Sequence, residues 1–273
     1  MKKIIFVLTL TLFCITLHAQ ETEPTNGFGA KLKKSNFHHV GTASNFDMGF
    51  GAKLKKSNFH LGLDLQTKYV WRGMEMMMEN AAPVVFPQVN YQYKGLYLYV
   101  MGGYAFNGKY AEVDMGLSYT WKWLTIGVND YYYPTVDSAD DNYFDAKKGT
   151  TGHWLEGVIT ITPEKIPVYV TLSNFFYGAD KNAEGKQAYS TYIEAGTYYD
   201  FLESNRLSLT VGAACNESCY NNYEHHFGVC NLELKYTYSL AFKRGWSLPL
   251  NVAYIINPIR EKSFVNFSTS FAF

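Results

Sequence analysis

Ten ionisable side chains stand where they could act on the same small volume. Asp64, Lys68, Arg72, Glu112, Asp114, Glu156, Glu194, Arg206, Glu233 and Lys235 each occupy alternate positions of segments whose remaining positions are apolar or aromatic. Charges gathered on one face of a sheet can set the field of a water-filled passage or bind a solute in it. They can equally neutralise one another inside a filled interior. With Asp200 added, seven acids share that parity with four bases, so a passage lined by them would mildly prefer cations.

Other reactive groups point to less. Asp137, Asp140, Asp141 and Asp145 are the oxygen ligands calcium takes, but the spacing and central glycine of an EF-hand are missing. A solvated loop is the expectation. Cys215, Cys219, His225, His226 and Cys230 lack the paired spacing of a zinc finger. In an oxidising compartment they suggest a Cys215–Cys219 or a Cys215–Cys230 disulfide, with a simply buried Cys230 as the alternative. Membrane-barrel enzymes need a lipid-facing Ser–His arrangement or acidic and His pairs at the mouth. His153 and its neighbouring serines show no such pattern, and His225-His226 with the 137–145 loop fits one only by force. Dinucleotide, Walker and HExxH motifs are absent. No enzyme activity, metal or cofactor is expected.

The elements that would carry these charges have a period of two. In 59–72 the odd positions are Phe59, Leu61, Leu63, Leu65, Thr67, Tyr69 and Trp71, while Asp64, Gln66, Lys68 and Arg72 lie among the even ones. Alternation over about ten residues is the mark of a strand with one face in lipid and the other in water. It recurs in 85–93, 111–121, 124–129, 168–173, 206–211 and 231–238. Weaker copies near 96–104, 153–162, 188–200, 247–257 and 263–273 bring the expectation to about twelve strands. No apolar run after the N-terminus is long enough for a spanning helix, which needs roughly 20 residues. Yet aromatics make up 17% of the chain, with 23 tyrosines. A chain that presents such a face to lipid without a helix must close its sheet, because an open edge leaves backbone groups unpaired in hydrocarbon. The fold predicted is all-β, a single closed antiparallel transmembrane β-barrel with an up-and-down meander.

Lys2 and Lys3 followed by the apolar run 4–17 predict a signal peptide over 1–19, cleaved after Ala19, and hence export. Without it the chain carries a net charge of about −2, which gives a nucleic-acid partner nothing to grip. Residues 20–58 read as an N-terminal periplasmic extension, because GFGAKLKKSNFH stands at 27–38 and again at 49–60, and only the second copy runs into a strand. Two copies are too few for a solenoid. The barrel then occupies 59–273. Connections at 94–95, 122, 163–165, 201–205 and 243–246 are short, and those at 73–82, 134–152, 178–187 and 215–226 are longer, as periplasmic turns and extracellular loops should be. Tyr69 and Trp71 at one strand end, with Trp121, Trp123 and Trp246 at the other, suit aromatic girdles at two membrane interfaces. A last strand ending in Phe273 has the form of a signal read by the barrel-assembly machinery.

The segment Asp64-Leu65-Gln66-Thr67-Lys68-Tyr69-Val70-Trp71-Arg72-Gly73 resembles the opening strand of the TorF-like porin family. Ala82-Pro83, Asn90-Tyr91 and Gly95-Leu96-Tyr97 are similar to that family's second hairpin. The likeness covers about residues 60–130 and implies a Gram-negative outer-membrane barrel. Together with the alternation it leads to the expectation of a channel passing small hydrophilic solutes. A closed barrel with a structural, adhesive or binding role through its outer loops is the alternative. A soluble periplasmic barrel with an apolar interior would invert the two faces.

Overall fold

The computed structural model describes residues 58–77, 81–134, 141–224, 226–242 and 246–273. The expected signal peptide, the first copy of the repeat, most of the second, and positions 78–80, 135–140, 225 and 243–245 of the expected loops and turn lie outside them.

Twelve strands close one antiparallel barrel. They are β1 (Phe59–Gln66), β4 (Val84–Tyr93), β5 (Leu96–Ala105), β6 (Ala111–Trp121), β7 (Leu124–Tyr132), β8 (His153–Ile161), β9 (Val168–Gly178), β10 (Thr191–Phe201), β11 (Asn205–Ala214), β12 (Gly228–Ala241), β13 (Ser247–Asn257) and β14 (Lys262–Ala272). Every barrel strand pairs with its neighbours in sequence, and β1 pairs with β14 to close the ring, from Gly62 opposite Ala272 to Gln66 opposite Ser268. The Phe273 and Leu61 backbones exchange hydrogen bonds at the foot of this seam. Connections at 94–95, 122–123, 162–167, 202–204 and 242–246 share the end that holds the seam's foot, and the longer 133–152, 179–190 and 215–227 lie at the opposite end. The predicted asymmetry is present, although two connections at the loop end, 106–110 and 258–261, are short.

The alternation sorts the faces as expected. Leu61, Val89, Val100, Leu117, Ile126, Leu172, Leu234 and Val265 point outward and are exposed, whereas Asp64, Asn90, Glu112, Asp114, Thr160, Thr171 and Asn251 point inward and are buried. A barrel in water would not display a continuous apolar wall of this size. The inverted, soluble reading is therefore corrected by the facing of every strand. Trp121, Trp123 and Trp246 are exposed at the turn end, where a girdle requires them.

The interior is filled by tyrosines set across glycines. Tyr99 faces Gly116, and Tyr169 faces Gly196, in the strand register. At each of these glycines a Cβ would come within 2.2 Å of the opposing ring. A bare backbone lets the ring lie flat on the inner wall and restores the packing that a glycine strand lacks.

One element departs from the sequence expectation. The first barrel strand ends at Gln66, not Arg72. Thr67 still binds the seam strand, its N–H donating to the Phe267 carbonyl and its hydroxyl to Asn266 Oδ1 at 3.0 Å. Beyond it the chain turns inward as a small hairpin, β2 (Val70–Trp71) against β3 (Met74–Glu75), with Arg72-Gly73 as its turn. Tyr69 and Trp71 are 1% and 6% exposed, so they belong to no girdle. They form an apolar core with Met74, Met77, Phe86, Phe175 and Tyr220.

Candidate functional site

The inward hairpin and the wall it touches make up the site. Arg72 and Gly73 both have positive φ, 48° and 77°, the combination a tight two-residue hairpin turn requires. Gly73 is needed for a second reason, because a Cβ there would stand 1.9 Å from the Cys230 carbonyl oxygen on β12. Its own carbonyl accepts a hydrogen bond from Asn257 Nδ2 at 3.0 Å. Arg72 carries a side chain through a left-handed conformation that costs about 1–2 kcal/mol outside glycine. Such strain persists only where surrounding contacts hold it.

Those contacts are specific. Arg72 Nη1 donates to Glu156 Oε1 at 2.5 Å and to the Tyr220 hydroxyl. Its guanidinium carbon lies 4.5 Å from the Trp71 ring centroid, 4.6 Å from Tyr192 and 5.6 Å from Tyr220. The second Glu156 oxygen accepts from the Tyr131 hydroxyl at 2.8 Å and from Asn129 Nδ2 at 3.4 Å. Around this pair, Trp71 packs on Tyr131, Phe175 and Tyr220, and Tyr69 packs edge-on to Phe86 and Tyr110. Strands β4, β7, β8, β9, β10 and β12 all meet the hairpin, so it crosses the lumen from the seam to the far wall. A loop from the mouth clamps it from above. The 3-10 turn Cys219–Asn221 brings in Tyr220, and Arg260 Nη2 ties the Cys219 carbonyl at 2.8 Å while touching Met74 Sδ at 3.5 Å.

The predicted lumen residues do face inward, but they are not one group. Arg72 and Glu156 meet in the plug. Glu112 takes the Tyr110 hydroxyl at 2.7 Å and the Tyr69 hydroxyl at 3.4 Å. Glu194 takes Tyr169 at 2.7 Å and Tyr192 at 2.6 Å. Asp114 is fully buried, and neither of its oxygens has a hydrogen-bond partner among the described residues. Arg206 forks onto Asp200 at 2.6 and 3.0 Å near the turn end and stacks on Tyr198. Lys68 has left the wall and pairs with Glu75 inside the hairpin at 2.6 Å. Asp64 and Glu233 are buried on the inner wall, and Lys235 is partly buried there. Sequence reasoning missed Tyr131 and Tyr192, because a tyrosine on a strand reads as packing until a charge is seen against it, and Tyr220, which sits on a short 3-10 turn of a long loop.

Two further expectations meet the coordinates. Cys215, Cys219 and Cys230 are all free thiols, so neither anticipated disulfide is formed. Cys230 is instead buried on the inner wall, and burial, with Asp180 nearby, pushes the Cys219 thiol up to about 12. His153 holds Asp130 through Nδ1 at 2.9 Å and the Tyr143 carbonyl through Nε2 at 2.6 Å. Both ring nitrogens are thus engaged, Nδ1 with the neighbouring strand β7 and Nε2 with the loop at Tyr143, whereas a general base needs one of them open to a nucleophile.

No family model matches the chain and no curated protein matches it, so the resemblance to the TorF-like porins is not confirmed. Among solved structures it is similar to the KdgM porin, at 8% identity and a TM-score of 0.43 over 78% of this chain and 98% of that one. The KdgM porin in complex with disordered oligogalacturonate matches at 8% and 0.44, over 79% and 97%. The translocator domain of the autotransporter NalP from Neisseria meningitidis matches at 9% and 0.40, over 81% and 90%.

Proposed function

We propose that this protein is a porin-type barrel of the bacterial outer membrane, a passage for small hydrophilic solutes that is shut at rest by its own first loop. The observation that carries this reading is the hairpin itself. A polar-lined barrel with an apolar outer wall is stoppered near its mouth by one short segment, held by the buried Arg72–Glu156 ion pair and the aromatic packing around it. A barrel that served only as a scaffold could be filled from its wall alone. Orientation follows from the connections, with short turns on the periplasmic side and long loops outside. The terminal strand β14, ending next to Phe273, is then the surface offered to the assembly machinery.

Cation preference belongs to the same reading. On the inward parity Asp64, Glu112, Asp114, Glu156, Glu194, Asp200 and Glu233 outnumber Lys68, Arg72, Arg206 and Lys235, and three of those four bases are each bound to a carboxylate. A second reading, a permanently closed barrel that acts through its outer loops, is favoured by the absence of solvent access at Asp114 and Glu156. Planar-bilayer recording separates the two. The refolded protein is expected to be nearly silent, and a variant with 68–77 replaced by a short Gly-Ser linker to give discrete steps. A linker variant that inserts yet stays silent would sink the passage and leave the loop-borne role.

A further inference from the structure

The wall opposite the hairpin, with the mouth loop that carries Tyr220, is built as a cation site, and Arg72 is what fills it. Glu156 presents one oxygen to the lumen while Tyr131 and Asn129 fix the other, so the carboxylate is oriented before any cation arrives. Tyr192 and Tyr220 offer ring faces at 4.6 and 5.6 Å from the guanidinium carbon, and the Tyr220 hydroxyl faces its nitrogen. None of these groups belongs to the hairpin. Only Trp71 arrives with Arg72, so withdrawing the hairpin leaves the carboxylate and two rings in place and without a cation.

We propose that this is a binding site for solutes carrying a guanidinium group, with Arg72 as its tethered occupant and competitor. A planar, weakly hydrated cation that can stack on rings while one of its nitrogens donates to a carboxylate and a hydroxyl suits these partners, and a compact, strongly hydrated ammonium suits them less well. The tethered occupant is also handicapped. Arg72 reaches the site through a strained left-handed turn, a cost that a free solute does not bear. A guanidinium-bearing solute at sufficient concentration displaces Arg72 and frees the hairpin, so that the ligand and the opening of the lumen are linked.

The test uses Arg72→Ala refolded in phospholipid vesicles, with methylguanidinium as the probe and tetramethylammonium and sodium at equal concentration as controls. Saturable stabilisation against heat is expected from methylguanidinium. Its half-maximal concentration should be at least about tenfold below that of tetramethylammonium, as one charge-assisted hydrogen bond implies. Arg72→Ala combined with Glu156→Gln should lose the effect. Equal stabilisation by all three cations, or an effect that survives Glu156→Gln, overturns the proposal. If Arg72→Ala does not fold, the folded fraction after refolding with and without methylguanidinium becomes the readout, and no gain overturns it. Binding is read without any current, so a silent barrel defeats the passage but not the site.

Discussion

At the scale of single residues, the Arg72–Glu156 pair governs more than its size suggests. Both side chains are almost fully buried, at 6% and 1%, so removing one partner strands the other's charge. Arg72→Ala is expected to lower stability by about 3–5 kcal/mol, as for other buried pairs broken on one side. Adding Glu156→Gln should return much of that loss, and the coupling can be read from a double-mutant cycle of urea unfolding in vesicles. Additive losses would show that the two residues do not act as a pair. Arg72 was legible in sequence as an inward charge, and Glu156 as another. That they touch was not legible, because they lie on different elements and only the inward turn of 67–77 brings them together. The Tyr192 and Tyr220 cage was hidden for the same reason.

At the scale of elements, alternation located eleven of the twelve barrel strands, though it stopped five residues short on β9 and three short at each end of β12, and the twelfth shows why alternation has a limit. The period of two continues from Phe59 to Arg72 with breaks only at Gly62, Thr67 and Val70, yet the barrel strand stops at Gln66. Residues 67–71 still place Tyr69 and Trp71 on one parity because they lead into a second, smaller sheet whose faces meet aromatics and charges instead of lipid and lumen. The turn that reverses them is Arg-Gly, and hairpin signals are usually sought as Asn-Gly or Asp-Gly. An arginine at positive φ is held by Glu156, a contact invisible from the local sequence. The loop above the hairpin provides a reporter of its position. Cys219 packs against the plug core, and its thiol, held near 12, is almost wholly protonated at neutral pH. Only the thiolate is nucleophilic, so its alkylation should stay slow through mildly alkaline conditions and rise only as pH approaches that value. Replacing 68–77 should wet the site and speed labelling of Cys219, followed by mass spectrometry. Fast labelling of Cys219 in the intact protein would mean that the hairpin does not pack there.

At the scale of the whole molecule, the interior carries more acid than base, and Lys68, Arg72 and Arg206 are each bound to a carboxylate. The linker variant, under a salt gradient, should show a reversal potential of cation-selective sign, and Glu112→Gln should shift it toward zero. An anion-selective sign would defeat this charge count. The fold class was readable because a membrane leaves a chain without long apolar helices few alternatives. The occlusion was not, since nothing in composition separates a filled lumen from an open one. One consequence lies in the clasp at Thr67, whose hydroxyl and N–H grip β14 across some 200 positions of chain. The root of the stopper is thereby knotted to the last seam to be sewn. A nascent barrel still unzipped between its first and final strands has no fixed anchor for the hairpin, and contacts so distant in sequence form late. The protein should therefore pass through a leaky youth and become watertight only on the day its ends meet.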